Sequence, residues 1–204
     1  NDDAYRTAIS LKKNNVSIAA IVDLRNNPDG ELVAQVRSQG ITIYTGHAIV
    51  STAGYLRIKS AKIMQLSEDG SKPIGSMKEI RCDSIGMSGG WNPTLHLFSQ
   101  SGGKLRWDEE LGQFLPKTAT QNLVSIGGCD GTQGLSSCLK AGLKAGAESA
   151  RATNNKGRAP RLPKVIEPKY NDQRTIWLIP PERADEKVSK HFVDFQNDVT
   201  ASDI

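Results

Sequence analysis

The sequence predicts an α/β chain: a parallel βαβ sheet with an antiparallel β-meander inserted after it. Three observations carry this. Helical and extended patterns alternate over residues 1–45, as in a parallel sheet joined by helices. From residue 46 the pattern changes to extended runs separated by Thr-Ala-Gly and Glu-Asp-Gly-Ser turns. Further on, an apolar run ends in Gly-Gly-Cys-Asp-Gly131 and leads into a long helical pattern.

Asn1, Asp2 and Asp3 supply N-cap chemistry for a helix from about Ala4 to Lys13, with Ala4, Ala8, Ile9 and Leu11 as its apolar stripe. Val16 to Val22 is a nearly continuous apolar run, the pattern of a strand covered on both faces. Asn26 to Gly30 is a loop, Glu31 to Ser38 a helix closed by Gly40, and Ile41 to Thr45 the next strand. Gly46 to Val50, Tyr55 to Leu66 and Met77 to Cys82 form the meander. Asp83 to Ser88 returns as a short strand and enters a block rich in glycine and tryptophan that ends at Trp107. Asn122 to Gly131 reads as a strand ending in glycines, before a helix over about 133–150. Its face of Leu135, Cys138, Leu139, Gly142, Leu143 and Gly146 suits close packing on a sheet. Residues 152–172 read as an extended linker, Thr175 to Leu178 as a strand, and His191 to Asp198 as a further one, with Thr200 as the cap of a helix beginning at the chain's end.

Composition excludes several functions. No apolar run approaches the ~20 residues a membrane span needs. The formal charge is +4, from 26 Lys and Arg against 22 Asp and Glu. The excess gathers between Lys144 and Lys169, where aromatic side chains are too few to stack on bases. That stretch reads as a solvated linker, so nucleic acid is not an expected partner. Cys82, Cys129 and Cys138 are odd in number and fit no zinc spacing. With no visible signal peptide, a reducing cytoplasmic compartment is expected. The chain opens inside a helix cap and closes on what reads as a new helix start, the pattern of an internal piece of a longer protein. His47, His96 and His191 stand far apart, and no catalytic triad or metal site assembles from them. Cys129 reads as a small buried residue, with a redox thiol at a helix N-terminus as the alternative, and Trp91 and Trp107 read as core or interface packing, with stacking on a cofactor ring as the alternative.

Two places carry candidate nucleotide chemistry. No Gly-x-Gly-x-x-Gly fingerprint comes after a strand, but Asp23 stands at a strand end where an acidic residue would meet ribose hydroxyls. A plain strand-terminal carboxylate reads the same way. The second place is Gly127-Gly128-Cys129-Asp130-Gly131 before a helix. There Asp130 would accept from a sugar hydroxyl, and the N–H groups of Gly131 and Thr132 would face a phosphate. The alternative is an ordinary helix cap.

The block Gly89-Gly-Trp-Asn-Pro-Thr-Leu-His-Leu-Phe-Ser-Gln-Ser-Gly-Gly-Lys-Leu-Arg-Trp107 closely resembles one in the alpha subunits of heterotetrameric sarcosine oxidases. Asn1 to Ala8, Ala20 to Arg25, Gly30 to Val33, Gly46-His47 and Phe192 to Thr200 resemble the same family, so the likeness runs along nearly the whole chain. It implies the NAD(P)-type domain of flavoproteins with two dinucleotide-binding domains. On that reading residues 1–105 are an inserted nucleotide-binding-like domain. Residues 106–150 return to the first dinucleotide-binding domain, and 151–204 lead towards a folate-binding half.

The resemblance also implies a function. The family oxidatively demethylates sarcosine to glycine, yielding H2O2 and either formaldehyde or methylene-tetrahydrofolate. NAD belongs to the alpha subunit, FAD and FMN to the partner beta subunit, and tetrahydrofolate to the C-terminal half outside this chain. The partners implied are the beta, gamma and delta subunits, and no catalytic residue for amine oxidation is expected here. Related dehydrogenases carry a Cys-x-Cys iron–sulfur motif near Phe192 to Thr200, and this chain has no cysteine beyond Cys138. The other reading is a structural assembly domain of a related secondary-amine or N-methylglutamate dehydrogenase, with a vestigial nucleotide pocket.

Overall fold

The computed structural model describes residues 1–155, 157–158, 160–166, 174–181, 191–194 and 196–204. They form a mixed α/β chain of several small sheets in two compact units, Asn1–Gly89 with Tyr170–Ile204, and Gly90–Lys169.

The first unit begins with helix α1 (Asp3–Lys13), strand β1 (Ile21–Asp23), helix α2 (Glu31–Ser38) and strand β2 (Ile43–Thr45). β1 and β2 pair in parallel, with Ile21 opposite Ile43 and Asp23 opposite Thr45. Both helices end in one motif. Ile41 N–H donates to Val36 O and Gly40 N–H to Arg37 O, just as Val16 N–H donates to Leu11 O and Asn15 N–H to Lys12 O. The second closure explains why the expected strand from Val16 shrinks to Ile21–Asp23: Val16 is spent on ending α1 and stays exposed.

The buried face of α1 is Tyr5, Ala8 and Ile9 rather than the stripe through Ala4 and Leu11. The spacing i, i+3, i+4 is the helical one, and it turns Leu11 outward. These side chains make one core with Ile21, Val33, Val36 and Ile41. Its burial of apolar surface is the main force holding the helices to the parallel pair.

A three-stranded antiparallel meander comes next, β3 (His47–Gly54), β4 (Ile58–Leu66) and β5 (Pro73–Arg81) in that order. Ala61, Ile63, Met64 and Leu66 of β4 are buried. The expected strand over Asp83 to Ser88 does not form. No strand pairs with it among the described residues, and Ser88 instead holds Asn1 through a 3.1 Å bond from Asn1 N to Ser88 O.

The C-terminal part of this unit holds Arg174, whose guanidinium bridges two loops. It donates to Leu24 O at 2.6 Å, to Ser67 O at 2.9 Å and to Glu68 O at 2.5 Å. A fork of fixed N–H groups suits three carbonyls; a lysine would not reach them all. We expect Arg174→Lys to cost about 1–2 kcal/mol and to speed protease cleavage after residue 173, measured by limited proteolysis. No strand forms over Thr175 to Leu178. The expected strand from His191 is instead a hairpin of β8 (Phe192–Asp194) and β9 (Val199–Thr200). The Asp194 carboxylate accepts from Gln196 N and Asn197 Nδ2, which turns the chain back. Thr200 closes a turn on Asp203 through its N–H and its hydroxyl. Residues 156, 159 and 167–172 of the expected linker lie outside the described residues.

The second unit contains helix α3 (His96–Gln100), the hairpin of β6 (Lys104–Asp108) and β7 (Gln113–Thr118), a 3-10 turn (Gly127–Asp130) and helix α4 (Leu135–Ala152). Trp107 packs edge-on against Phe114 across the hairpin, ring centroids 5.0 Å apart, while Trp91 is exposed. Neither tryptophan is a core residue.

Candidate functional site

Asp23 closes β1, and the fold gives it neighbours that sequence reasoning did not join. Its Oδ2 accepts from the Tyr5 hydroxyl at 2.6 Å and from Arg25 Nη2 at 2.8 Å. Its Oδ1 accepts from Arg25 N at 2.8 Å and from Arg25 Nε at 3.0 Å. Arg25 continues the chain to Asp2 through a 2.8 Å ion pair. Asp23 and Arg25 are both buried.

The electrostatics follow from this crowding. Burial pushes the Asp23 carboxyl up, but the bonds from Arg25 and Tyr5 outweigh it and leave the group below its ordinary range. Burial and the bond to Asp23 push the Tyr5 hydroxyl well above its usual value. The carboxylate's acceptor sites are taken, so it has nothing left for a ribose hydroxyl. Asp23 is the hub that locks α1 to the end of β1. Tyr5 and Arg25 escaped the sequence reading, and Asp2 was read for cap chemistry and not for its pair with Arg25. The available signal was Tyr5 at i, i+3, i+4 spacing with Ala8 and Ile9, and a buried polar tip needs a partner.

The second candidate place differs in every respect. The expected strand over Asn122 to Ile126 is unpaired among the described residues, although Ile126 is extended at φ −141°, ψ 160°. Gly127 to Asp130 form a 3-10 turn, and Gly131 comes next at φ 73°. The turn sits on β7: a Cβ at Gly131 would come within 2.6 Å of Leu115 Cδ2 and 3.0 Å of Gln113 Nε2. From the other side the Cys138 thiol of α4 donates to Thr132 O at 3.5 Å.

Two expectations here need correction. Asp130 does not cap α4; the residue before that helix is Gly134, with no side-chain cap bond. The Gly131 and Thr132 N–H groups do not point into open space. They donate to Gly128 O at 3.4 Å and to Gly127 O at 3.0 Å, because the tight turn consumes its own donors. Cys129 is exposed rather than a packing residue.

Asp130 itself is exposed, and no hydrogen bond or ion pair engages its carboxylate among the described residues. Beside it, Gly128 has an ordinary backbone and nothing within 4 Å of where a Cβ would stand. Conformation or packing accounts for Gly127 (φ 67°) and Gly131, but neither accounts for Gly128. An open depression of about 290 Å³ beside α3, lined by Pro93, Leu95, His96, Ser99 and Gln100, includes none of these residues. Among the described residues no three metal-ligating side chains gather. No helix among them is long and apolar enough to cross a membrane.

Over its whole length the chain is similar to sarcosine oxidase alpha subunits. It is 29% identical over 208 residues to that of Corynebacterium sp. (strain P-1) and 29% over 206 residues to that of Corynebacterium sp. (strain U-96). It is 31% identical over 210 residues to that of Rhizobium meliloti (strain 1021). All of this chain is covered in each case, but only 21%, 21% and 19% of those subunits. The chain thus spans about a fifth of the length of the curated relatives it matches. No protein-family model matches the chain.

Proposed function

We propose that this chain is part of the alpha subunit of a sarcosine oxidase, contributing to NAD binding and subunit assembly rather than to amine oxidation. The whole-length likeness to three such subunits supports the assignment. On this reading the complete cytoplasmic enzyme demethylates sarcosine to glycine, releasing H2O2 and either formaldehyde or methylene-tetrahydrofolate. FAD and FMN sit in the beta subunit, gamma and delta complete the assembly, and tetrahydrofolate is handled by another part of the alpha subunit. The parallel β1–β2 pair with α2 between its strands in sequence is the piece of architecture that accords with an NAD(P)-type domain, with residues 1–105 inserted and 106–150 returning to the first domain.

One observation carries the nucleotide part: Asp130 is an exposed carboxylate with unspent lone pairs, beside a glycine whose missing side chain the fold does not require. That fits a sugar hydroxyl approaching the backbone closely. It does not fit a phosphate, since the Gly131 and Thr132 donors are taken. Asp130 and Gly128 would therefore hold the ribose part of NAD, and the phosphates must find their donors elsewhere.

The test is the NAD content of the purified full-length subunit. Asp130→Ala should lower it about tenfold, the loss of one charge-assisted bond. Gly128→Ala should do the same by filling the approach, without changing the melting temperature. Unchanged content in both variants would leave the other reading, an assembly domain of a secondary-amine or N-methylglutamate dehydrogenase with a vestigial pocket. The occupied turn donors are the observation that favours it.

A further inference from the structure

We infer that the tip of the β3–β4 hairpin, Tyr55 and Leu56, docks into an apolar pocket rimmed by carboxylates on another subunit of the assembled enzyme. This rests on the assignment to a multi-subunit oxidase, but not on NAD.

The first ground is the residues themselves. A tight loop calls for Gly, Asn, Asp or Ser. Gly54, at φ 143°, meets the backbone demand here, and its pairing with Ile58 closes the loop. The next two positions are then free in residue type, yet they hold a tyrosine and a leucine that are 94% and 88% exposed. A departure from local turn chemistry with no gain to the fold marks a functional position. Side chains on so fixed a backbone lose little freedom on docking, and tyrosine is enriched among the residues that carry interfaces.

The second ground is place. The hairpin is tied to its unit at its base, where Gly46 N–H donates to Arg25 O, Leu66 N–H to Gly46 O and Arg174 to Ser67 O. β3 is eight residues long, so the tip stands about 25 Å further along. The loop closes on its own backbone bonds, so the hairpin can fold first and be covered on assembly. That suits a separate subunit better than a distant stretch of this one.

The third ground is charge. No Asp or Glu occurs between Glu31 and Glu68, while Arg57, Lys59 and Lys62 follow the tip. Arg57 and Lys59 are exposed, and Arg81 lies opposite Ser60 on the next strand. The acids on that side, Glu79 and Asp83, are fewer, and Glu79 already accepts from Ser60 Oγ. An apolar tip in a positive collar is matched by a carboxylate rim. A second copy of the tip is a poor occupant, since a two-fold contact sets like charges together. A lipid surface is another, since two apolar side chains bury too little to anchor.

The experiment uses the full-length subunit in its assembled enzyme. Benzoylphenylalanine at position 55 is irradiated, and its crosslinks are mapped by mass spectrometry with isotope-mixed copies. Crosslinks to another subunit beside Asp or Glu residues are expected. Crosslinks to the same subunit or to a second copy of it, or none at all, would overturn the inference. Independently, the double variant Tyr55→Ala, Leu56→Ala should raise the dissociation constant of the subunit from the rest of the enzyme about a hundredfold, with its melting temperature unchanged. An unchanged constant would overturn the inference as well, as would binding of the subunit to phosphatidylserine vesicles that this double variant abolishes. Arg57→Glu should slow association about tenfold at low salt, and the gap should close as salt rises. Equal rates would remove the carboxylate rim and with it the stated partner. A subunit that purifies with no other subunit removes the oxidase assignment together with this inference; an assembled enzyme without the crosslinks removes this inference alone.

Discussion

Asp23→Ala lowers the unfolding free energy of the first unit by about 3 kcal/mol, the low end of what removing one partner of a buried ion pair costs. The low end applies because Asp2 still engages Arg25 at 2.8 Å. What is lost is the acceptor for the Tyr5 hydroxyl and for three Arg25 N–H groups, all in a buried setting. Urea denaturation should show the midpoint falling with the slope unchanged. A loss under about 1 kcal/mol would place the pair in the class of solvated surface bridges and sink the locking role.

The same network sets a pH window. Asp23 has its folded-state pKa depressed, so its contribution is present above the unfolded value of about 4 and is lost as pH falls through the folded one. Tyr5 has its folded-state pKa raised, so its contribution is full below about 10 and is lost as pH rises. Stability from these two groups is therefore flat between the two limits and falls outside them. Tyr5→Phe should remove the alkaline limb and keep the acid one. Stability measured from pH 3 to 11 decides this.

Gly54→Ala is the second large effect, about 3 kcal/mol, from backbone strain added to a collision. Gly54 ends β3 at φ 143°, where side chains are rarely tolerated, and a Cβ there would stand 1.9 Å from the Arg57 carbonyl oxygen. The oxygen is a backbone atom and the Cβ would be fixed directly to the backbone of the same tight hairpin, so neither can move aside cheaply. At the tip, Tyr55 and Leu56 are 94% and 88% exposed, and their replacement by alanine should change stability by less than about 0.5 kcal/mol. Thermal melts of the three variants separate a backbone requirement from a side-chain one. Equal effects would mean that the turn relaxes around an added methyl.

Much of this fold was legible because its elements are local. Helix α2 and its closure at Gly40, the strand over Ile43–Thr45 and the meander come from spacing and turn residues that read the same in any context. Pairing was less legible. Val16 was absorbed by a helix closure, Asp83 to Ser88 met no partner strand, and the run at Asp194 doubled back because a carboxylate gathered residues two and three places on. At Val16 and Asp194 a short-range hydrogen bond competed with an extended pattern and won.

By itself the sequence determined helices α1, α2 and α4 and the meander, that the chain resembles sarcosine oxidase alpha subunits, and that Asp23 and Asp130 are the carboxylates to weigh for nucleotide chemistry. Only the tertiary structure set their surroundings. It set Tyr5 and Arg25 against Asp23, consuming its acceptors, and left Asp130 open to solvent beside Gly128. The reason is distance. A carboxylate's chemistry depends on donors brought within about 3 Å, and Tyr5 reaches Asp23 from eighteen residues away, across the core that only folding assembles.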